Sequence, residues 1–255
     1  MCGMRPADQS YHQLADQLAS RIAVMAPGER VASEHDLVAA HGVSRITARS
    51  ALQELERRHL VRRIRGAGTF VALRLDYPVT AAGPPSFSEI VRRHGRAPSH
   101  MIDDIGTVRP SAEVREILAL RPGASAVRIR RRGFVDGEVV THQSHWVPTD
   151  LVPGLRRELA TRDSLYATFV DAYDLEPRRF WSRAELATVT PDVAVALEFE
   201  GRPQAWNIES CNRCHRTGRI VELARSWLRA DAFRVRFEHG PSDGGGPTGS
   251  QRRRR

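Results

Sequence analysis

Lysine is absent. All 39 cationic residues of the 255-residue chain are arginine, set against 30 Asp and Glu for a formal net charge of +9. Part of that bias is compositional, but the surplus of positive charge favours polyanionic partners. Cysteine is scarce: Cys2, Cys211 and Cys214 do not form a disulfide framework. No segment approaches 18 consecutive apolar residues, and Met1–Gln9 hold no apolar core of a signal peptide. A cytoplasmic chain with no membrane partner is the expectation. Also missing are a Ser-His-Asp set, a recognisable metal site and a Gly-rich phosphate loop. No catalytic residue, cofactor or metal is assigned on these grounds.

The material that is present, 41% hydrophobic and 27% charged, suffices for one small and one medium domain. Between Tyr11 and Met25 the residues Leu14, Leu18, Ile22 and Met25 recur at helical spacing, stopped by Pro27-Gly28. Ser33 stands three residues before Asp36, an acidic form of the capping box, and opens a short helix that His41-Gly42 closes. Ser44 caps a third helix whose Ala48, Leu52 and Leu55 face inward. Two helices around a tight Gly-containing turn make a helix-turn-helix. Leu60–Ile64 and Thr69–Val71, two β-prone runs around Arg65-Gly66-Ala67-Gly68, read as a hairpin, a wing on that unit.

This gives a first domain over 10–72. The stretch 73–85, with Pro78, Gly83, Pro84 and Pro85, reads as a linker. A second domain spans 86–239, and the Gly- and Arg-rich segment 240–255 is expected to be disordered. In the second domain helices are predicted at Phe87–His94, after Ser111, after Ser164 and at Asp192–Leu197. Strands are predicted near His100–Val108, Ala126–Val135, Val139–Trp146, Arg179–Val189, Ala205–Cys214, Ile220–Trp227 and Phe233–Phe237, with Asp136-Gly137 as a hairpin turn. Hairpin-linked strands with interspersed helices point to an α+β fold with an antiparallel sheet.

Arg45 and Arg49 share one face of the third helix, opposite its apolar side, and Gln53 continues that face. Guanidinium groups on a helix can fork onto guanine in a major groove. Thr47 can donate to a phosphate, and Gly66 and Gly68 let the wing backbone come close to one. Taken alone, such residues also describe a solvated arginine face and an ordinary glycine turn.

The ordered set Tyr11-His12-Gln13-Leu14-Ala15, Pro27-Gly28-Glu29-Arg30, Ser33-Glu34-His35-Asp36-Leu37, Gly42 through Arg49 and Gly66 through Val71 resembles the winged-helix domain of the GntR family of bacterial regulators. That resemblance implies a transcription repressor acting as a homodimer on a double-stranded DNA operator. It implies DNA contacts by Arg45, Thr47 and Arg49, with Gly66 at the wing tip. His35 stands where the family usually has an arginine that also touches DNA.

The remainder resembles the UTRA ligand-binding domain of the HutC branch, a fold shared with chorismate lyase. The residues that carry this are Ser86-Phe87-Ser88, Asp136-Gly137-Glu138, Ser164-Leu165-Tyr166 and Glu222 to Ala232. Asp76-Tyr77-Pro78 and Arg229-Ala230-Asp231 are most similar to members that regulate phosphonate or phosphate uptake genes. A small anionic effector is implied, held by an arginine pair, Ser164, Tyr166 and the post-linker residues Phe87 and Ser88. Arg130, Arg131 and Arg132 suit phosphate or carboxylate forks, although strand alternation turns at most two of them inward. Gly133 falls where a second arginine is expected. Glu222 is a further pocket candidate.

Cys211-Asn212-Arg213-Cys214-His215 spells a haem-attachment string. It falls on a predicted strand in a chain without an export signal, so ordinary strand residues are expected. Two other readings stay open at this stage: an enzyme of the chorismate-lyase fold fused to a DNA-binding module, and a sequence-independent DNA binder.

Overall fold

Serine hydroxyls open six of the described helices, each accepting a backbone N–H of the first turn. A short hydroxyl satisfies an otherwise orphaned donor while its own backbone stays extended. In the computed structural model, which describes residues 10–64, 66–80, 85–162, 164–199 and 203–238, the first three such helices are α1 (Tyr11–Ile22), α2 (Glu34–His41) and α3 (Arg45–Arg57). Ser10 and Ser33 complete reciprocal capping boxes with Gln13 and Asp36. Gly42 ends α2 in the left-handed conformation at φ 64°, which sets the turn into α3.

The apolar faces of these helices bury Leu14, Leu18, Ile22, Leu37, Leu52 and Leu55 in one core. Strands β1 (Arg30–Val31), β2 (Val61–Ile64) and β3 (Gly68–Val71) close it as a three-stranded sheet in the order β1-β3-β2. The predicted helix-turn-helix and wing are both present. β1 was not expected, since two residues carry no readable alternation.

Within the stretch read as a linker, Leu75–Thr80 is a strand. β4 (Leu75–Thr80) pairs in parallel with β11 (Phe233–Glu238), Tyr77 opposite Val235 and Pro78 opposite Arg236. Proline marks loops in composition, but both strands of a two-stranded sheet are edge strands, the setting in which a sheet tolerates proline. Gly83, Pro84, Arg65, Cys2 and the tail 240–255 lie outside the described residues.

The second domain is built on one six-stranded antiparallel sheet in the order β5-β6-β7-β10-β9-β8, over β5 (Pro98–Val108), β6 (Ala126–Val135), β7 (Glu138–Pro148), β8 (Pro177–Thr188), β9 (Gln204–Cys214) and β10 (Ile220–Arg229). Its helices are α4 (Phe87–Arg93), α5 (Ala112–Ile117), α6 (Leu155–Leu159), α7 (Leu165–Tyr173) and α8 (Pro191–Ala196). Of these α6 is the one not expected.

Helices cover both faces. On the outer face α5 packs Val114 and Leu118 against Leu223 and Ala126, while α8 packs Val193 and Leu197 against Val139 and Ala205. The inner face carries two apolar clusters. In one, Leu155, Leu165 and Phe169 meet Ile129, Val147 and Cys214. In the other, Phe87, Ile90, Leu75 and Phe233 meet Val135, Ile208 and Leu228. Between the two clusters runs a row of polar side chains.

Candidate nucleic-acid interface and effector site

α3 turns its small and apolar residues inward and leaves Arg45, Arg49 and Gln53 exposed. Arg45 makes no ion pair among the described residues. Arg49 is held: its Nε lies 3.2 Å and its Nη2 3.3 Å from the Glu34 carboxylate at the start of α2. Glu34 also pairs with Arg63 of β2 at 3.3 Å, so one carboxylate orients two guanidinium groups from separate elements. Thr47 is engaged with the helix cap, its Oγ1 2.9 Å from Ser44 Oγ. His35 is exposed on the first turn of α2.

Gly66 and Gly68 have φ values of +77° and +127°, and both shape the wing tip. A Cβ at Gly66 would meet nothing within 4 Å, whereas one at Gly68 would sit 3.1 Å from Arg30 Nε. The first glycine therefore serves backbone conformation alone, and the second also makes room for the Arg30 guanidinium. Recognition helix, wing and a set of exposed arginines thus share one surface.

The inner face of the six-stranded sheet brings Arg131, Gln143, His145, Glu222 and Asn212 into one hydrogen-bonded row. Arg131 Nε donates to Gln143 Oε1 at 3.0 Å and to His145 Nε2 at 3.1 Å. Because Nε2 accepts, Nδ1 carries the proton of the neutral ring and donates to Glu222 Oε1 at 2.6 Å. Asn212 Nδ2 donates to the other Glu222 oxygen and to Tyr166 Oη, the latter at 3.2 Å. Arg131, His145, Asn212 and Glu222 are all buried.

Burial and the Arg131 charge lower the His145 pKa, which keeps the ring neutral. Burial works to raise that of Glu222, but the His145 and Asn212 hydrogen bonds and the Arg131 charge outweigh it and leave the carboxyl below its usual value. Burial, followed by the Glu222 charge, raises Tyr166 well above an ordinary phenol.

Arg179 of β8 joins this row, bonded to the Tyr77 hydroxyl and, at 3.3 Å, to Ser182 Oγ. Tyr77 comes from β4, between the two domains. Neither residue was expected in the site. Tyr77 was hidden by the linker reading, and Arg179 by being one of many strand arginines. Among the described residues the interior therefore sets the Arg131 and Arg179 guanidinium groups against the Glu222 carboxylate. Asn212 Oδ1, Arg179 Nε and His100 Nδ1 are buried there without a hydrogen-bond partner among the described residues.

Of the three consecutive arginines only Arg131 faces this row. Strand alternation sends Arg130 and Arg132 to the other face, where they pair with Asp104 at 3.5 Å and Asp103 at 3.0 Å. Gly133 shares the face of Arg131, but a Cβ there would lie 2.6 Å from Thr141 Oγ1 and 2.9 Å from Phe87 Cζ. The Phe87 ring fills the space that a second arginine would need. Ser88 is buried and lies 2.9 Å from His100 Nε2. Ser164 caps α7 through Ala167 N at 3.3 Å, two residues before Tyr166.

The Cys211 and Cys214 side chains, an odd number of residues apart on β9, point to opposite faces. Cys211 pairs across strands with Trp181 and Leu223 of the outer cluster, and Cys214 packs in the inner one. They do not converge on a shared ligand.

Two family models match: "Bacterial regulatory proteins, gntR family" over residues 7–71 and "UTRA domain" over residues 93–234. HTH-type transcriptional regulator GgaR of Escherichia coli (strain K12) is 31% identical over 209 residues, covering 76% of this chain and 82% of GgaR. HTH-type transcriptional repressor NagR of Bacillus subtilis (strain 168) is 27% identical over 226 residues, covering 88% and 91%. In fold, the chain is similar to the crystal structure of PhnF from Mycobacterium smegmatis, with a TM-score of 0.62 at 21% identity, covering 89% of this chain and 98% of PhnF. Among the described residues no helix is long and apolar enough to cross a membrane. A gntR-type winged helix followed by a UTRA domain makes this chain a member of the GntR family of transcriptional regulators.

Proposed function

We propose that the chain is a cytoplasmic repressor that binds a near-palindromic operator as a homodimer and answers to a small anionic effector held on the inner sheet face. The observation that carries the effector reading is the charge of that interior: among the described residues Arg131 and Arg179 face the carboxylate of Glu222 alone, beside buried polar atoms that lack partners there. Unpaired buried donors and acceptors are costly, and an anion with a polar body would supply what they lack. A phosphate, phosphonate or carboxylate fits this chemistry. Ser164 at the α7 N-terminus and Tyr166 complete the proposed set, with Phe87 and Ser88 forming its wall. Arg130 and Arg132 are left out.

On the DNA side Arg45, Thr47, Arg49, Gln53 and the wing glycines form the proposed operator surface, with His35 at its margin. One winged helix covers few base pairs, so two copies are needed for a specific site. The name of NagR, a transcriptional repressor, supports the repressor reading, and regulator names among the relatives support binding over turnover. A thermal-shift screen of phosphate, phosphonates, sugar phosphates and carboxylates tests the effector site. At least one anion should raise the melting temperature of wild type and bind at least tenfold more weakly to Arg179→Gln. Hits that bind both proteins alike would place the effector elsewhere.

A further inference from the structure

Ile46 is 79% exposed in the first turn of α3, and among the described residues of the winged helix only Val24, in the turn after α1, is a more exposed large hydrophobic residue. Its position is specific. At about 100° per residue, Ile46 lies ~170° around the helix from the centre of the buried residues Ala48, Ala51, Leu52 and Leu55. It therefore points more directly away from the core than Arg45 or Arg49. By the same count Gln53 stands ~20° from it and Arg49 ~60°, so the three form one stripe along the helix.

The exposed residues around it, Arg49, Gln53 and Arg57 on the same stripe and Arg45 and Glu56 at its flank, are charged or polar. An aliphatic group centred among them gains nothing from water and belongs to none of the apolar clusters among the described residues. In the major groove the base edges present donors and acceptors with a single apolar exception, the C5-methyl group of thymine. A β-branched side chain in a helix is already confined to one main rotamer, so little side-chain freedom is lost on contact.

We propose that Ile46 reads a thymine through its C5-methyl group, beside the bases met by Arg45 and Arg49. This rests on the operator-binding reading given above and adds a specificity-determining residue to it. The recognition helix would then combine polar contacts from its arginines with one apolar contact that distinguishes thymine from cytosine and from uracil.

The test uses the full chain and an operator enriched from a random duplex pool. Duplexes carrying deoxyuridine in place of one thymine at a time lose only the methyl group. Their affinities are measured by fluorescence anisotropy at one salt concentration, for wild type and for Ile46→Ala. The exposure of Ile46 means that this variant should keep its melting temperature, a control read by circular dichroism. Wild type should bind about fourfold more weakly when one particular thymine per half-site loses its methyl, the loss expected for about one buried methyl-sized group. Ile46→Ala, which removes the contact from both half-sites at once, should bind the parent duplex more weakly by about the square of that factor and no longer distinguish thymine from uracil at either position.

Wild type that binds every deoxyuridine duplex like the parent would overturn the proposal. So would an Ile46→Ala variant that keeps the full penalty at that thymine, since another group would then be reading it. A pool that never enriches contradicts operator binding itself, a failure separate from both.

Discussion

His145 Nδ1 and Glu222 Oε1 lie 2.6 Å apart with both side chains sealed against the sheet. The same imidazole accepts from Arg131 on its other nitrogen, so one neutral ring bridges a buried cation and a buried anion. At neutral pH the lowered pKa of His145 leaves the ring uncharged, and the charge of the row comes from Arg131, Arg179 and Glu222.

Removing the carboxylate should expose the cost of that arrangement. In Glu222→Ala the Arg131 guanidinium stays buried without its counter-charge, and a loss of about 3–5 kcal/mol in unfolding free energy is expected. Glu222→Gln keeps an acceptor for His145 and should lose less. Chemical denaturation at neutral pH reads both, and a cost under about 1 kcal/mol for Glu222→Ala would mean that the charges are not coupled.

Acid should destabilise the second domain before its carboxylates titrate in bulk. Burial, followed by the Arg131 charge, lowers His100 from 6.5 to about 4, and His145 is lowered by burial in the same direction. A histidine whose folded pKa is depressed contributes stability that is present above its unfolded pKa and lost as pH falls through the folded one. For His100 that window runs from about pH 6.5 down to about 4, and the loss is on the order of 3 kcal/mol. Unfolding free energies measured across that range should fall for wild type and fall less for His100→Gln. Parallel profiles for the two proteins would remove His100 as a cause.

The contact between Phe87 and Gly133 can be tested by a double-mutant cycle. Gly133→Ala forces its Cβ on Thr141 and Phe87, and about 1–3 kcal/mol should be lost to overpacking. In a Phe87→Ala background Thr141 gains room to rotate, so the same glycine substitution should cost less. Additive losses would show that the ring does not occupy the space.

Capping serines, Gly42 and the apolar spacing of α1 and α3 made the winged helix readable, because those signals are local. The strands of the second domain were legible for the same reason, through their alternation and the Asp136-Gly137 turn. β4 was not, since its parallel partner β11 lies about 160 residues away in sequence and Pro78 argued against a strand. The polar row was half legible. Arg131, Tyr166 and Glu222 came through family resemblance, whereas His145, Asn212, Arg179 and Tyr77 meet only when six strands and β4 are in register. The face of each arginine in 130–132 depended on that register too, and alternation alone could not choose between Arg131 and its neighbours.

Arg45 and Arg49 should differ in their dependence on Glu34. Arg45 pairs with no acidic side chain among the described residues, while Arg49 is positioned by the Glu34 carboxylate. Arg45→Ala and Arg49→Ala should each cost about 1–3 kcal/mol on a cognate duplex, with a much smaller loss on non-specific DNA. Glu34→Gln should weaken cognate binding in wild type and have little further effect in Arg49→Ala. Equal losses on cognate and scrambled duplexes would reduce both arginines to phosphate contacts.

Sequence-specific operator binding is tested most directly by titrating the full-length chain onto its enriched operator and onto a scrambled duplex of equal length, at one stated salt concentration. Affinity for the operator should exceed that for the scrambled duplex by about 10³-fold or more, with two chains bound per operator. Equal affinities, falling together as salt rises, would describe a sequence-independent DNA binder and contradict the reading of this chain as an operator-specific repressor.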